Sequence, residues 1–446
     1  MKQVNLLTDS PRRLFFHYLG PTIGSSMVTS IYILADTIMV GQGVGDAGLA
    51  ALTIFMPIVA SFFALGLLLG IGGGVLMSVA KGSGNESLAH KYFSTAMISA
   101  AVVSVCFAVF GAIFFDPMMY ALGADTTNIE LVRGYGLCYT VSAPLFIFSS
   151  SLQSFIRNDK SPRHAMIAVL TGSGLNILLD YLFIFVFKMG MFGASFATSI
   201  GTSITVCILI IHFFTKKNTM RFSFRFFSIK ALWEIAKCGF SSFLIECANA
   251  VLVFVFNHTL LKYIGSVGVT VYSIMSNVAV VCMSLFNGVT LAAQPIIATN
   301  HGADNHKRVL QVRHIGTITS SVIAVIIFCV GFFFPDLLIY SYVKGPTPEI
   351  LDLARYALRI YFFAYLFMNF NIFFSGYFQS TLRPVAAITI QILRSLLLSS
   401  VLVSVLPMIF GADAIWYAVP ITECITFFVA MAFLFFGRFQ KTKEAK

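Results

Sequence analysis

Residues 52–77 read LTIFMPIVASFFALGLLLGIGGGVLM, a stretch of twenty-six residues without a charge. A helix needs about 20 predominantly apolar residues to cross the hydrocarbon layer of a membrane. The rest of the chain has the same character, since its 446 residues are 58% hydrophobic and 11% charged, with a mean hydropathy of +0.88. Soluble domains carry about 25% charged residues. The composition therefore excludes a cytosolic enzyme, a disordered chain and a nucleic-acid-binding domain, and it predicts an all-α membrane protein.

Twelve segments are long and apolar enough to be membrane-spanning helices. Their approximate bounds are 15–40, 52–77, 93–115, 135–156, 165–187, 193–215, 239–261, 270–297, 315–335, 357–378, 384–406 and 413–437. With the N-terminus inside, 22 of the 29 Lys and Arg residues fall in inner segments and six in outer ones. Because cytoplasmic loops are enriched in Lys and Arg, we predict a multi-pass protein of the cell (inner) membrane with both termini in the cytoplasm. We call the predicted cytoplasmic ends of the spans their inner ends.

The two halves of the chain repeat each other weakly at an offset near 220 residues. Residues 76–85 read LMSVAKGSGN and residues 296–305 read IIATNHGADN, which places Gly and then Asn on the loop after the second span of each half. Each half has six spans, so the repeats share one topology, as in parallel-repeat transporters. We predict two pseudo-symmetric six-helix lobes, residues 1–225 and residues 226–446.

Four oxygen-bearing side chains of the first half are predicted at similar depth. Asp36, Asp180 and Thr198 lie roughly 9–12 Å from the outer surface on spans 1, 5 and 6, and Asn176 lies one turn from Asp180. Their oxygens suit a small hard cation such as Na⁺, and two neighbouring carboxyl groups also suit proton binding. The alternative is a buried hydrogen-bond cluster that only holds the helices together. Because intramembrane carboxylates are costly, we predict a cation-coupling site here, in the N-terminal lobe.

Charged residues also fall inside spans of the second half. Arg394 and Glu423 both lie near the membrane midplane, where they either pair with each other or take part in substrate or ion coupling. Glu246 on span 7 faces a central cavity, extends to the membrane surface or meets Arg394, and these alternatives stay open.

Three further residues of the first half have open alternatives. Tyr135 and Tyr139, one turn apart on span 4, either face the Asp36 cluster as part of a substrate site or belong to an aromatic belt. Pro21 either kinks span 1 as a hinge or marks the start of the helix.

The eight cysteines show no CxxC pair, and we expect them to be reduced. The triplet Gly72–Gly74 indicates close helix packing.

Motifs of membrane enzymes and ATP-driven pumps are missing from the sequence. No Walker-type phosphate loop, HExxH zinc motif or GxSxG nucleophile motif occurs in the 446 residues. The sequence therefore predicts neither an enzyme nor a cofactor, and a membrane-bound transferase is poorly supported. Since a channel would not need paired halves, we favour a carrier.

The sequence resembles the MATE family (multidrug and toxic compound extrusion) over nearly its whole length. The resemblance rests on Ala35–Gly41 (ADTIMVG) in span 1, on Gln294–Ala303 (QPIIATNHGA) after span 8, on Asn176–Asp180 (NILLD) in span 5, and on Phe192–Ala194 with Ala197–Thr198 beyond it. It implies two six-helix lobes that work by alternating access. It also implies export of amphipathic, often cationic compounds in exchange for Na⁺ or H⁺.

The resemblance also implies site residues. Asp36, Asn176, Asp180 and Thr198 match, one by one, the coupling residues of the family branch with an N-lobe site, and Pro21 matches its kinking proline. Other branches use a Glu on span 7 and a carboxylate on span 10. The first position falls on Asn249 here, with Glu246 one turn earlier, and span 10 has no acid, so the N-lobe site is favoured. We expect a monomeric antiporter in the lipid bilayer, with a lipid-linked oligosaccharide flippase of the same broad fold as the alternative.

Overall fold

The computed structural model describes residues 4–343 and 345–444, apart from the side chains of residue 250 and residues 436–444. Within these ranges, eleven single helices are long and apolar enough to cross a membrane, and one pair bent by 52° makes a twelfth span. The predicted all-helical membrane architecture is confirmed. Of the cations counted for orientation, Lys2, Lys344 and Lys446 lie outside the described residues, and the orientation itself stays a prediction.

The twelve spans are named α1 to α12 in chain order, and α4 consists of the two segments of the bent pair. Their bounds are α1 Pro11–Gly43, α2 Asp46–Gly82, α3 Glu86–Ile113, α4 Ile129–Val141 and Ala143–Asn158, α5 Pro162–Val186, α6 Gly190–Phe214, α7 Ile229–Tyr263, α8 Ser266–Gly302, α9 His306–Phe333, α10 Pro348–Ser380, α11 Pro384–Phe410 and α12 Ala412–Phe435. Most of these helices extend beyond the predicted apolar segments, because polar residues continue the helix outside the hydrocarbon layer.

Local sequence signals explain where several helices begin. Pro11, Pro162, Pro348 and Pro384 each stand at the first helical position, where the missing N–H costs nothing and the fixed φ suits the helix. At α3, Asn85 accepts a hydrogen bond from the backbone N–H of Leu88 and caps the helix.

Backbone geometry repeats in the two halves more clearly than the sequence does. Residues with positive φ occur at corresponding turns, in the pairs Gly45 and Gly265, Gly84 and Asp304, Gly123 and Gly345, and Lys160 and Leu382. The bidentate ion pair of Arg133 with Asp116 in the first half has its counterpart in Arg355 with Asp336. Each half also contains a short π-helix, which ends α5 at Tyr181–Val186 and interrupts α11 at Leu393–Leu397. These pairs support the predicted internal repeat.

Backbone contacts divide the chain into two compact units. The first comprises residues Met1–Cys247 and Gln294–Val309, and the second comprises Ala248–Ala293 and Leu310–Lys446. Three helices thus pass from one unit to the other, α7 after Cys247, α8 after Ala293 and α9 after Val309. The lobe boundary at residue 225 stays a prediction.

Helices α2 and α8 cross in backbone contact at their inner ends, within the first unit. A Cβ atom on Gly82 would stand 2.0 Å from the carbonyl oxygen of Thr299, and one on Gly302 would stand 2.0 Å from that of Val79. The contact is reciprocal, because each glycine faces the carbonyl three residues before the other glycine. Only glycine lets two helices approach this closely.

The N-terminal segment is attached to the inner end of α8. Asn300 donates from Nδ2 to the carbonyl of Leu6 at 3.0 Å, and Arg308 donates from Nε to Oδ1 of Asn300 at 2.9 Å. Leu6 is 2% exposed. These contacts hold the N-terminal segment against the inner end of α8 and the start of α9.

Packing at the glycine triplet agrees with the prediction. A Cβ on Gly72 would stand 2.3 Å from the carbonyl oxygen of Ile235, and one on Gly73 would stand 2.6 Å from the ring of Phe155. The eight cysteines are all free thiols, as expected.

Candidate cation-binding site

Asp36 on α1 and Asp180 on α5 place their carboxyl groups close enough to each other to interact electrostatically. Asp180 is 0% exposed, and neither of its carboxylate oxygens has a donor. Oδ1 of Asp36 is also buried without a donor. Two neighbouring carboxylates repel each other and can only accept hydrogen bonds, so a shared proton or a bound cation would stabilise the pair.

Asn176 and Thr198 join the same site one helical turn away. Asn176 donates from Nδ2 to Oγ1 of Thr198 at 3.2 Å, and Thr198 donates to the carbonyl of Ala194 at 3.0 Å. Oδ1 of Asn176 is buried without a donor. The structure therefore brings all four predicted residues together from α1, α5 and α6, with four carboxylate or amide oxygens lacking a donor. Their coupling role stays a prediction.

A π-helix follows Asp180 directly. Residues Tyr181–Val186 adopt this wider turn, whereas α5 is an α-helix up to Asp180. Single π-turns inside α-helices are frequent at functional sites, because they redirect side chains and leave backbone groups available. Sequence periodicity contains no signal for this change.

Three tyrosines surround the acidic pair. Tyr135 and Tyr139 are each 3% exposed and lie within electrostatic reach of Asp36. The aromatic-belt alternative is therefore wrong for both, because a belt residue contacts the membrane surface. Sequence reasoning missed Tyr32, which is within electrostatic reach of both carboxyl groups. The signal was its position four residues before Asp36, on the same helix face.

A small cavity of about 50 Å³ is lined in part by Asn176 and Thr198. Its polar lining also includes Thr29, Tyr32, Ser149, Gln153, Ser173, Thr202 and Thr205. Phe63 and Phe146 contribute aromatic faces. The cavity is not predicted from the sequence, although Thr198, Thr202 and Thr205 recur with helical spacing on α6.

Pro21 lies inside α1, ten residues after the helix begins at Pro11. The alternative that Pro21 marks the start of the helix is therefore wrong. Its missing N–H leaves the carbonyl of His17 without the usual helical partner.

The second unit contains its own buried polar group. Arg394 donates to Oε1 of Glu423 from Nε at 2.9 Å and from Nη2 at 2.8 Å, and Asn371 donates from Nδ2 to Oε2 at 2.7 Å. Arg394 and Glu423 are 5% and 3% exposed. The ion pair is thus one of the two arrangements predicted for these residues, and a part in coupling stays a prediction.

The two candidates on α7 lack such partners. Glu246 is partly exposed and takes part in no hydrogen bond or ion pair with the described residues, so the pairing with Arg394 is wrong. Asn249 is exposed. Neither residue joins the site in the first unit.

A buried charge cluster lies at the inner end of the first unit. Lys81 on α2 and His212 on α6 contact opposite oxygens of Asp159, at 2.6 Å and 2.9 Å. Burial alone raises the pKa of a carboxyl group, but hydrogen bonds from His212, Lys81 and Thr219 lower the pKa of Asp159 to about 2. Asp159 is therefore ionised at neutral pH.

Asp159→Asn is expected to lower the free energy of unfolding at pH 7 by about 2 kcal/mol. This is the stabilisation that corresponds to lowering the pKa of Asp159 from 3.8 to about 2 on folding. Because the folded-state pKa lies below the unfolded one, this stabilisation is complete above about pH 4 and is lost as the pH falls through 2. Thermal unfolding in detergent at pH 7 and pH 3 measures it. Asp304→Asn, at a side chain 90% exposed, is the control. An equal loss of stability at both pH values would contradict the prediction.

The predicted bounds of span 4, residues 135–156, are too short at the inner end. Helix α4 continues to Asn158, and Arg157, which those bounds leave outside the span, is only 7% exposed.

Comparisons with known proteins identify the family. The MatE family model matches residues 21–182 and residues 238–405, once in each half. The multidrug export proteins MepA of Staphylococcus haemolyticus and Staphylococcus saprophyticus are 25% and 26% identical to this chain. These matches cover 94% and 96% of this chain, and 92% and 94% of the relatives.

Solved structures with the same fold cover almost the whole chain. One is described as the outward-facing conformation of a multidrug resistance MATE family transporter of the MOP superfamily, with a TM-score of 0.91 and 21% identity over 99% of this chain and 98% of that one. A second is a MATE in complex with MaL6, with a TM-score of 0.91 and 22% identity over 99% of both chains. Since the family model covers most of the sequence, the chain belongs to the MatE family, whose members are membrane transporters and not enzymes.

Proposed function

We propose that this protein is a secondary antiporter that exports amphipathic, often cationic compounds from the cell in exchange for Na⁺ or H⁺. The observation that carries the proposal is the contact of Asp36 with Asp180, two carboxyl groups whose buried oxygens have no donor. Such a pair is stable only when it binds a proton or a cation. The proposed site is completed by Asn176 and Thr198.

Exchange of a cationic compound for Na⁺ or H⁺ follows because both are attracted to the same acidic pair. An unoccupied acidic pair attracts a cationic compound to the adjacent cavity, where Tyr32, Phe63 and Phe146 offer aromatic faces. A bound Na⁺ or H⁺ neutralises the pair and weakens that attraction. Because coupling between two binding sites is reciprocal, a bound compound also weakens binding of the ion.

The curated relatives support the proposed direction and substrate class, since both are named multidrug export proteins. The flippase alternative is not favoured, because the buried Arg394 is neutralised by Glu423 and leaves no strongly cationic cavity there. We further propose a location in the cell membrane, with both termini in the cytoplasm, a monomeric protein and no organic cofactor.

Transport by purified protein in liposomes tests the proposal. We expect transport of a fluorescent organic cation to be driven by an imposed Na⁺ gradient at equal pH or by an imposed pH gradient without Na⁺. The gradient that drives transport identifies the coupling ion. Liposomes containing Asp36→Asn protein are the control and should show no driven transport. If neither gradient drives transport by the unmodified protein, antiport is excluded.

A further inference from the structure

Helix α4 runs from the cavity toward the inner end of the first unit. Ser149 and Gln153 line the cavity, and Gln153 donates from Nε2 to Oγ of Ser149 at 3.1 Å. Arg157 follows Gln153 by one helical turn on the same face, roughly 6 Å further along the axis. The next charged group below Gln153 on this helix is therefore a buried guanidinium.

Arg157 has no counter-ion. It is 7% exposed, its Nε is buried without an acceptor, and no hydrogen bond or ion pair involves it within the described part of the chain. Its electrostatic neighbour is Tyr18, whose hydroxyl is also buried without a partner. An uncompensated buried charge is strongly unfavourable, so packing alone does not explain an arginine here.

The neighbouring carboxylate does not neutralise Arg157. Asp159 receives hydrogen bonds from Lys81, His212 and Thr219, which occupy both of its oxygens. The acidic charge is balanced by Lys81, and the positive charge of Arg157 remains. One turn beyond Gln153, the guanidinium of Arg157 is thus a positive charge that no described carboxylate balances.

We propose that Arg157 is an electrostatic barrier that stops the coupling cation from leaking through the first unit toward the inner end of the helices. A fixed arginine at the narrow end of a polar pathway repels cations, including protons carried by water. A cation bound at Asp36 and Asp180 can then leave only by the route that is coupled to substrate. The inference rests on the proposed function for the identity of the acidic pair as the cation site.

The test is cation leak in the absence of any drug. Liposomes containing Arg157→Gln protein receive an imposed Na⁺ or pH gradient, and influx is followed with radioactive Na⁺ or a trapped pH-sensitive dye. We expect the leak to rise by about 10- to 100-fold over unmodified protein, the effect of removing a like charge roughly 6 Å away at an effective dielectric constant of about 20. Arg157→Met, neutral and of similar length, is measured in parallel in case one neutral variant does not fold.

Two matched variants separate the barrier from a structural role. Arg157→Lys keeps the charge and should keep the leak low, whereas a packing role requires the arginine shape and would not be rescued. Arg163→Gln removes an exposed positive charge six residues away and should leave the leak unchanged.

The outcomes for the barrier and for the acidic pair are distinguishable. If neutral variants at residue 157 do not leak while Asp36→Asn abolishes drug export, the barrier is overturned and the proposed antiport remains. If Asp36→Asn exports drug normally, the proposed cation site is wrong. If the leak of the Arg157→Gln variant is unchanged when Asp36→Asn is added to it, the link between the cavity and the cation site is overturned as well.

Discussion

Asp180→Asn is expected to abolish drug export while the protein remains at its normal level in the membrane. The substitution keeps the size of the side chain and removes the charge that, with Asp36, would hold a proton or Na⁺ in a fully buried position. An amide at this position can donate a hydrogen bond to Asp36, so the helices stay together without a titratable pair. Export of a fluorescent cation from cells, normalised to the amount of protein, measures the effect.

The same result is expected for Asp36→Asn, because neither carboxylate alone forms the pair. Asp46→Asn is the matched control, since Asp46 is exposed at the first position of α2. Normal export by both Asp36→Asn and Asp180→Asn would remove the N-lobe site from the mechanism.

Gly82→Ala and Gly302→Ala are expected to disrupt the inner crossing of α2 and α8. In each case the new methyl group would stand 2.0 Å from a backbone carbonyl oxygen, of Thr299 or Val79, and a backbone cannot turn aside as a flexible side chain can. We expect each variant to lose about 1–3 kcal/mol of stability from overpacking and to lose most transport. The midpoint of thermal unfolding and the transport rate in liposomes are the measurements.

Gly20→Ala and Gly174→Ala are the matched controls for this prediction. Both glycines lie inside helices of the same unit, and a Cβ at either position would have no atom within 4 Å. Unchanged unfolding midpoints and transport rates in Gly82→Ala and Gly302→Ala would show that the two helices separate without cost.

Much of the fold is predictable from the sequence, because the hydrocarbon layer imposes one rule on every span. The twelve apolar segments correspond to the twelve spans, and the glycine triplet in α2 is packed against neighbouring backbone and rings. Asp36, Asn176 and Asp180 could be grouped because membrane interiors tolerate few carboxylates and because a spacing of four places two residues on one helix face.

Other parts of the site depend on information that no local pattern contains. The π-turn after Asp180 has no sequence signal, because an apolar run looks the same in an α-helix or a π-helix. The cavity consists of single hydroxyl groups from several helices, each of which is unremarkable alone. The predicted end of span 4 lies before Arg157, because charged residues after an apolar run look like the start of a loop in the sequence. Only the burial of Arg157 shows that it still packs inside the protein.

Helix α8 belongs to both compact units, and Pro295 stands two residues after the position where it passes from one to the other. A proline at this place cannot bond to the carbonyl four residues earlier, that of Leu291, so the helix has its weakest resistance to bending there. Bending of α8 is therefore expected at Pro295 and not at Gly302, because the backbone of α8 at Gly302 is packed directly against the backbone of α2.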